Sequence, residues 1–174
     1  MKSWRWLPVT CAALLAGWCG ALAAGVRPNL TPSLPRGLWS LAEAPAELQR
    51  GDVVEFCLPH DVAVFAYDRG YLGHGLCGDG MMPLLKPVAA IPGDVVEIGE
   101  DGVRVNGIPV VPRGLTQDSQ GRPLEPLAPG RYAVQPGDVW LLSGYERRSF
   151  DSRYYGAVPR SSVLRTATPL WTVE

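Results

Sequence analysis

The sequence predicts a mainly β protein made of short strands, and its composition and the spacing of its apolar residues carry this prediction. The 174 residues include 17 prolines and 20 glycines, which interrupt long helices and supply tight turns. Short apolar segments recur between these turn residues, a pattern typical of strands. With 47% apolar residues the chain can build one domain core.

The N-terminal segment differs from the rest of the chain. No charged side chain occurs from Trp6 to Val26. At about 1.5 Å per helical residue such a run spans roughly the 30 Å apolar core of a bilayer. Lys2 and Arg5 precede it, so the positive-inside tendency places the rest of the chain outside the cytoplasm. We therefore expect one N-terminal transmembrane helix.

This interpretation divides the chain into an anchor of residues 1–27 and an extracytoplasmic domain of residues 28–174. The alternative is a cleaved secretory signal, because residues 21–23 read Ala-Leu-Ala, the small-x-small pattern of a cleavage site. In that case the domain is released from the membrane. Both alternatives predict that the domain lies outside the cytoplasm.

The order of elements in the exported part follows from local pattern. A short helix is predicted at 61–71, and 115–130 is predicted to be an exposed loop because it is polar and rich in Pro and Gly. Asn106-Gly107 predicts a type I′ hairpin turn, since both residues tolerate positive φ. The predicted strands occupy residues 53–58, 82–91, 95–98, 103–105, 108–111, 132–134, 139–143 and 163–173.

Charge and cysteine content narrow the function classes. A formal net charge of -1 gives no basic surface for nucleic acid. Cys57 and Cys77 lie in the exported part, where oxidising conditions favour a disulfide; the alternative is two buried free thiols. No metal site is expected, because only His60 and His74 stand near these cysteines and no repeated CxxC is present.

Ser33 is a candidate nucleophile. Pro32 and Pro35 stiffen the backbone around it and Gly37 permits close approach, so the hydroxyl is expected on a rigid turn. The alternative is an ordinary turn serine. A serine nucleophile also needs a base.

Lys86 is the candidate base, because every other basic residue after residue 2 is arginine. Its neighbours are apolar on both sides, and desolvation disfavours the ammonium and lowers the pKa of a lysine. A neutral amine can accept a proton from a serine. The alternative is a lysine on the solvent face of an edge strand.

Ser149, Asp151 and Arg153 form a third group. If the segment alternates like a strand, these three side chains share one side and can build a supporting network. Asp151 beside Arg153 is expected to stay ionised and to fix geometry rather than accept a proton. The alternative is a polar turn.

Together these segments resemble the type I signal peptidases, which use a serine and lysine dyad. Thr31-x-Ser33-Leu34-Pro35 resembles the nucleophile box of that family. Residues 86–94 keep its spacing from lysine to Pro-Gly-Asp, with proline after the lysine where arginine is usual. Residues 149–159 resemble the last box but lack the Gly-Asp-Asn prefix of housekeeping members. The resemblance implies a signal-peptidase-like, β-rich catalytic domain.

Where the sequence differs from the housekeeping signal peptidases, it resembles the conjugative transfer signal peptidases of the TraF type. The segments SLPRGLW, PLLKPVAAIPGD and SFDSRYYGAVPRSSVL carry this likeness. It implies a membrane-associated serine endopeptidase, without a cofactor, that matures a precursor pilin and works beside other conjugative transfer proteins. Some relatives join the pilin ends into a circle.

The resemblance also implies roles for individual residues. Ser33 attacks the scissile carbonyl and Lys86 accepts its proton. The Ser33 N–H and the Thr31 hydroxyl hold the oxyanion, while Ser149 and Asp151 orient Lys86.

Three other functions remain open at this point. One is a general signal peptidase I with the same dyad. Another is a Ser/His/Asp hydrolase that uses His60 or His74. The third is a non-catalytic periplasmic scaffold of a transfer channel.

Overall fold

A computed structural model describes residues 7–23 and 25–173 of the chain, which form three helices and eleven strands. The strands are β1 (Val26–Asn29), β2 (Arg36–Glu43), β3 (Val53–Phe56), β4 (Leu84–Ala90), β5 (Val95–Ile98), β6 (Val103–Val105), β7 (Ile108–Val111), β8 (Gly130–Ala133), β9 (Asp138–Leu141), β10 (Val158–Pro159) and β11 (Val163–Val173). The helices are α1 (Leu7–Ala23), α2 (His60–Asp68) and α3 (Ser152–Tyr155), and a 3₁₀ turn spans Arg160–Ser162. The prediction of a mainly β fold is confirmed.

The strands form two sheets. The larger has the order β1-β2-β11-β3-β4-β9-β10 and the smaller the order β7-β6-β5-β8, and neighbouring strands pair antiparallel. One core lies where α2 packs on the larger sheet around Val54 and Phe56. A second core belongs to the smaller sheet and includes Ala90 and Trp140, which extend to it from β4 and β9. Strands β2, β3, β4 and β9 therefore belong to the same sheet.

Several local predictions are confirmed. Strands β5, β6, β7 and β11 have the predicted bounds. Asn106 and Gly107 have φ values of 51° and 79°, as the type I′ turn requires. Helix α2 also forms, between His60 and Asp68. In contrast, β1, β2, β10 and α3 were not predicted. The three strands depend on pairing with other strands, and α3 is only four residues long.

The prediction of a membrane-crossing helix from Trp6 to Val26 is not supported. Helix α1 has 17 residues, and no helix within 7–23 and 25–173 is long and apolar enough to cross a membrane. After the helix, Gly25 has a φ of 86° and Val26 pairs with Ser40 of β2. The end of the uncharged run is therefore strand. Lys2, Arg5 and Trp6 lie outside the described residues.

The predicted disulfide between Cys57 and Cys77 is present, with the two Cα atoms 5.8 Å apart. It ties the loop before β4 to the end of β3. That loop carries Tyr71, Leu72 and Met82, which line the candidate site.

We expect the Cys57→Ser/Cys77→Ser variant to lose about 3 kcal/mol of unfolding free energy, because the bond restricts mainly the unfolded chain. Urea unfolding of the variant and of reduced wild type measures this loss. Maleimide labelling of unreduced wild type should reach Cys11 and Cys19, which are exposed and free. Labelling of all four cysteines would contradict the disulfide.

Candidate active site

A cleft of about 330 Å³ brings together four of the residues predicted from sequence: Thr31, Ser33, Lys86 and Ser149. Its walls are largely apolar and come from the loop before β4, the loop 115–130 and the segment before α3. The apolar lining includes Leu72, Met82, Pro83, Leu84, Leu85, Leu115, Leu124 and Phe150. An extended peptide with apolar side chains fits such a lining.

Ser33 lies in the turn between β1 and β2. The two strands pair antiparallel, with Asn29 opposite Gly37, and the chain turns back between them through the prolines on either side of the serine. The Ser33 side chain is half-buried. None of the described residues accepts a hydrogen bond from the Ser33 N–H, so this donor is available to an oxyanion.

Asn29 holds this turn, and sequence reasoning missed it. Its side chain is buried, and its amide nitrogen donates to the carbonyl oxygens of Thr31, Leu34 and Pro35 at 3.1 to 3.2 Å. Its Oδ1 accepts from the Thr31 N–H at 3.2 Å and from the Thr31 hydroxyl at 2.8 Å. An asparagine two residues before Thr31 in a Pro-rich segment is a signal for such a turn.

In this structure the Thr31 hydroxyl is not oriented for the oxyanion role expected from the sequence. Its hydroxyl donates to Asn29 Oδ1, so the proton is not directed at a substrate. Thr31 has to rotate away from Asn29 before it can donate to an oxyanion.

Lys86 lies in the middle of β4, which has β3 on one side and β9 on the other. The alternative of an edge-strand lysine is therefore wrong. Lys86 pairs with Val54 and is 3% exposed. Within the described residues its side chain has no hydrogen bond or ion pair. Burial lowers the pKa of Lys86 to about 8, Asp151 opposes this shift, and Arg153 adds to it.

Asp151 and Arg153 form a buried ion pair behind the cleft. The Arg153 Nε and Nη2 atoms both lie 2.8 Å from the Asp151 carboxylate, and the two side chains are 0% and 1% exposed. Asp151 is the N-cap of α3 and accepts from the Arg153 N–H. The strand-like alternation predicted for this segment is therefore wrong: helix capping brings the pair together.

Ser149 differs from its neighbours in having no hydrogen-bond partner. Its Oγ is buried, and no described residue bonds to it. It lines the same cleft as Lys86. A buried hydroxyl without a partner is costly, and in this cleft it can bond to an amine or to a bound peptide.

The two histidines lie elsewhere. His60 Nδ1 is 3.9 Å from Asp79 Oδ2 at an exposed position, and His74 Nε2 is 2.7 Å from the Tyr67 hydroxyl. Neither lines the cleft that contains Ser33, so neither is placed to act as its base.

Comparison with known proteins places the chain in a family. Residues 2–171 match the family described as "Signal peptidase, peptidase S26". The conjugal transfer protein TraF of Agrobacterium fabrum is 40% identical over 98% of this chain and 96% of its own length. A plasmid transfer protein TraF of Escherichia coli is 39% identical over 92% of this chain and 90% of its own.

A signal peptidase I structure from Enterococcus faecalis covers 72% of this chain and 100% of its own, with 22% identity and a TM-score of 0.41. The family match and the relatives at about 40% identity both extend over nearly the whole sequence. The chain belongs to the signal peptidase S26 family, in the branch that contains the TraF conjugal transfer proteins.

Proposed function

We propose that the chain is a serine endopeptidase that cuts exported precursor proteins with Ser33 as nucleophile and Lys86 as general base. One observation supports this most: a half-buried serine lines the same cleft as a buried lysine whose pKa is lowered to about 8. Near that pH a substantial fraction of the lysine is neutral, so it can accept a proton.

Neutral Lys86 takes the proton of the Ser33 hydroxyl as Oγ attacks the scissile carbonyl carbon. The negative charge on the carbonyl oxygen is stabilised by the Ser33 N–H, with the Thr31 hydroxyl as a second donor once it leaves Asn29. Lys86 then gives the proton to the leaving amine. Water, activated by Lys86, releases the product from the acyl-enzyme.

Ser149 and the ion pair support this chemistry. The Ser149 hydroxyl, which has no partner among the described residues, is free to bond to the Lys86 amine and orient it during catalysis. The carboxylate of Asp151, held by Arg153, acts on Lys86 through its charge.

The substrate we propose is the precursor pilin of a conjugal transfer system. The names of the relatives support this role, because they are conjugal and plasmid transfer proteins. The domain of residues 28–174 works on the periplasmic side of the inner membrane, beside other transfer proteins, and the disulfide supports an oxidising compartment. An amine of the pilin in place of water as acceptor gives a circular product.

Ser33→Ala is expected to abolish precursor maturation while the protein stays folded, because the half-buried side chain leaves no core cavity. Mass spectrometry of the pilin precursor, incubated with wild type or variant, measures this. The control is Ser161→Ala, an exposed serine outside the cleft, which should process like wild type.

Processing by Ser33→Ala at the wild-type rate would end the serine assignment. A wild-type protein that binds transfer proteins and never cleaves a precursor supports the scaffold instead. Equal cleavage of unrelated exported precursors supports a general signal peptidase.

A further inference from the structure

We propose that Ser143 is a positioning residue for Ser33: its hydroxyl holds the carbonyl of the nucleophile and links the turn to the Asp151–Arg153 ion pair. This inference rests on the proposed function, because it assigns Ser143 a role in the chemistry of Ser33. Sequence reasoning passed over Ser143 as the last residue of a predicted strand.

The contacts of Ser143 join three distant parts of the chain. The residue is 1% exposed, and its Oγ donates a hydrogen bond to the Ser33 carbonyl oxygen, 110 residues away. Its N–H donates to Asp151 Oδ2 at 3.2 Å. Its carbonyl oxygen lies 3.5 Å from Arg153 Nη2. One buried residue thus contacts both the nucleophile turn and the ion pair.

The sheet places Ser143 beside the strand of the proposed base. It follows β9, which pairs with β4 through Leu141 and Val88. The next residue continues this pairing, because the Leu142 N–H donates to the Pro87 carbonyl at 3.1 Å. Pro87 follows Lys86 in β4, and Leu142 precedes Ser143. The hydrogen bond between Leu142 and Pro87 therefore places Ser143 close to the strand that carries the base.

Ser143 adds a restraint to the nucleophile turn that Asn29 does not supply. Asn29 holds the carbonyls of Thr31, Leu34 and Pro35, and it leaves the Ser33 carbonyl free. The hydroxyl of Ser143 holds the Ser33 carbonyl. Because this bond restricts the ψ angle of Ser33, its loss lets Oγ and the N–H drift from the productive geometry. A displacement of about 1 Å can cost about a hundredfold in rate.

The test compares wild type, Ser143→Ala and Ser143→Thr, which keeps the hydroxyl. The control Ser162→Ala also loses a hydroxyl bond to a backbone carbonyl, that of Pro159, outside the cleft. Two readouts are taken: amide order parameters of Ser33 and Leu34 by NMR, which need no substrate, and kcat, KM and the pH midpoint for the pilin precursor.

In Ser143→Ala the order parameters should fall from about 0.85 to below about 0.6. The kcat should fall about 10- to 100-fold with little change in KM. The pH midpoint should stay, because the backbone bond from Ser143 to Asp151 is kept. Ser143→Thr should recover most of the rate, and Ser162→Ala should match wild type.

Unchanged order parameters in Ser143→Ala would overturn the inference, and so would lower order parameters with an unchanged kcat. A shifted pH midpoint would show that Ser143 acts through Lys86 instead, and would also overturn it. If wild type processes no precursor, the proposed function fails, and the order parameters alone decide whether Ser143 holds the turn.

Discussion

Lys86→Arg should be as inactive as Lys86→Ala, with cleavage reduced about 10²- to 10⁴-fold, the usual contribution of a general base. Arginine keeps the positive charge but does not deprotonate in proteins. If Lys86 only attracted an acidic group, arginine would substitute with a modest loss. The experiment therefore separates a base from a fixed charge.

The pH dependence gives a second measurement of the same hypothesis. Only the neutral amine can accept the proton from Ser33, and the pKa of Lys86 is lowered to about 8. Cleavage by wild type should therefore be low near pH 6 and rise through about pH 8 to a plateau. Initial rates on a pilin-derived peptide between about pH 6 and pH 10 measure the profile. A flat profile with chemistry rate-limiting would exclude Lys86 as base.

Lys86→Met provides the folding control, because methionine is unbranched and of similar size but carries no charge. The folded-state pKa lies below that of free lysine, so the buried ammonium opposes folding below about pH 8. The variant should gain up to about 3 kcal/mol of unfolding free energy near pH 6. This gain should shrink as pH rises. It should vanish above about pH 10.5, where the Lys86 amine is neutral in both the folded and the unfolded wild-type protein.

Local chemistry made part of the site readable in the sequence. Lys86 stands out because it lies in an apolar segment of a chain whose other basic residues after Lys2 are arginines, and the turn of Ser33 follows from its prolines. The positive φ of Asn106 follows in the same way. These features depend on residues within a few positions of each other, which a reader of one sequence can see.

Contacts between distant segments could not be read in this way. The bond from Ser143 to Ser33 joins residues 110 positions apart, and strand β2 owes its place to pairing with β1 and β11. The uncharged run before Arg27 suggested a helix along its whole length. Hydropathy gives no information on strand pairing, and here Val26 pairs with Ser40. Pairing partners, rather than composition, decided these elements.

Breaking the buried ion pair should give the largest loss of stability. Asp151→Asn or Arg153→Met leaves one charge buried without its partner, which costs about 3 to 5 kcal/mol. Urea unfolding measures the loss. The control is the exposed pair Arg104 and Asp101, where Asp101→Asn should cost far less, because water solvates both charges. Equal losses at the two pairs would contradict the prediction.

The two variants should also move the pH profile in opposite directions. The charge of Asp151 raises the pKa of Lys86 and that of Arg153 lowers it. Asp151→Asn should therefore shift the rise in activity below about pH 8, and Arg153→Met should shift it above. A loss of fold alone lowers the rate without moving the midpoint. The pH midpoint of activity is measured on the folded fraction of each variant. If both variants keep the wild-type midpoint, the ion pair has no electrostatic influence on Lys86.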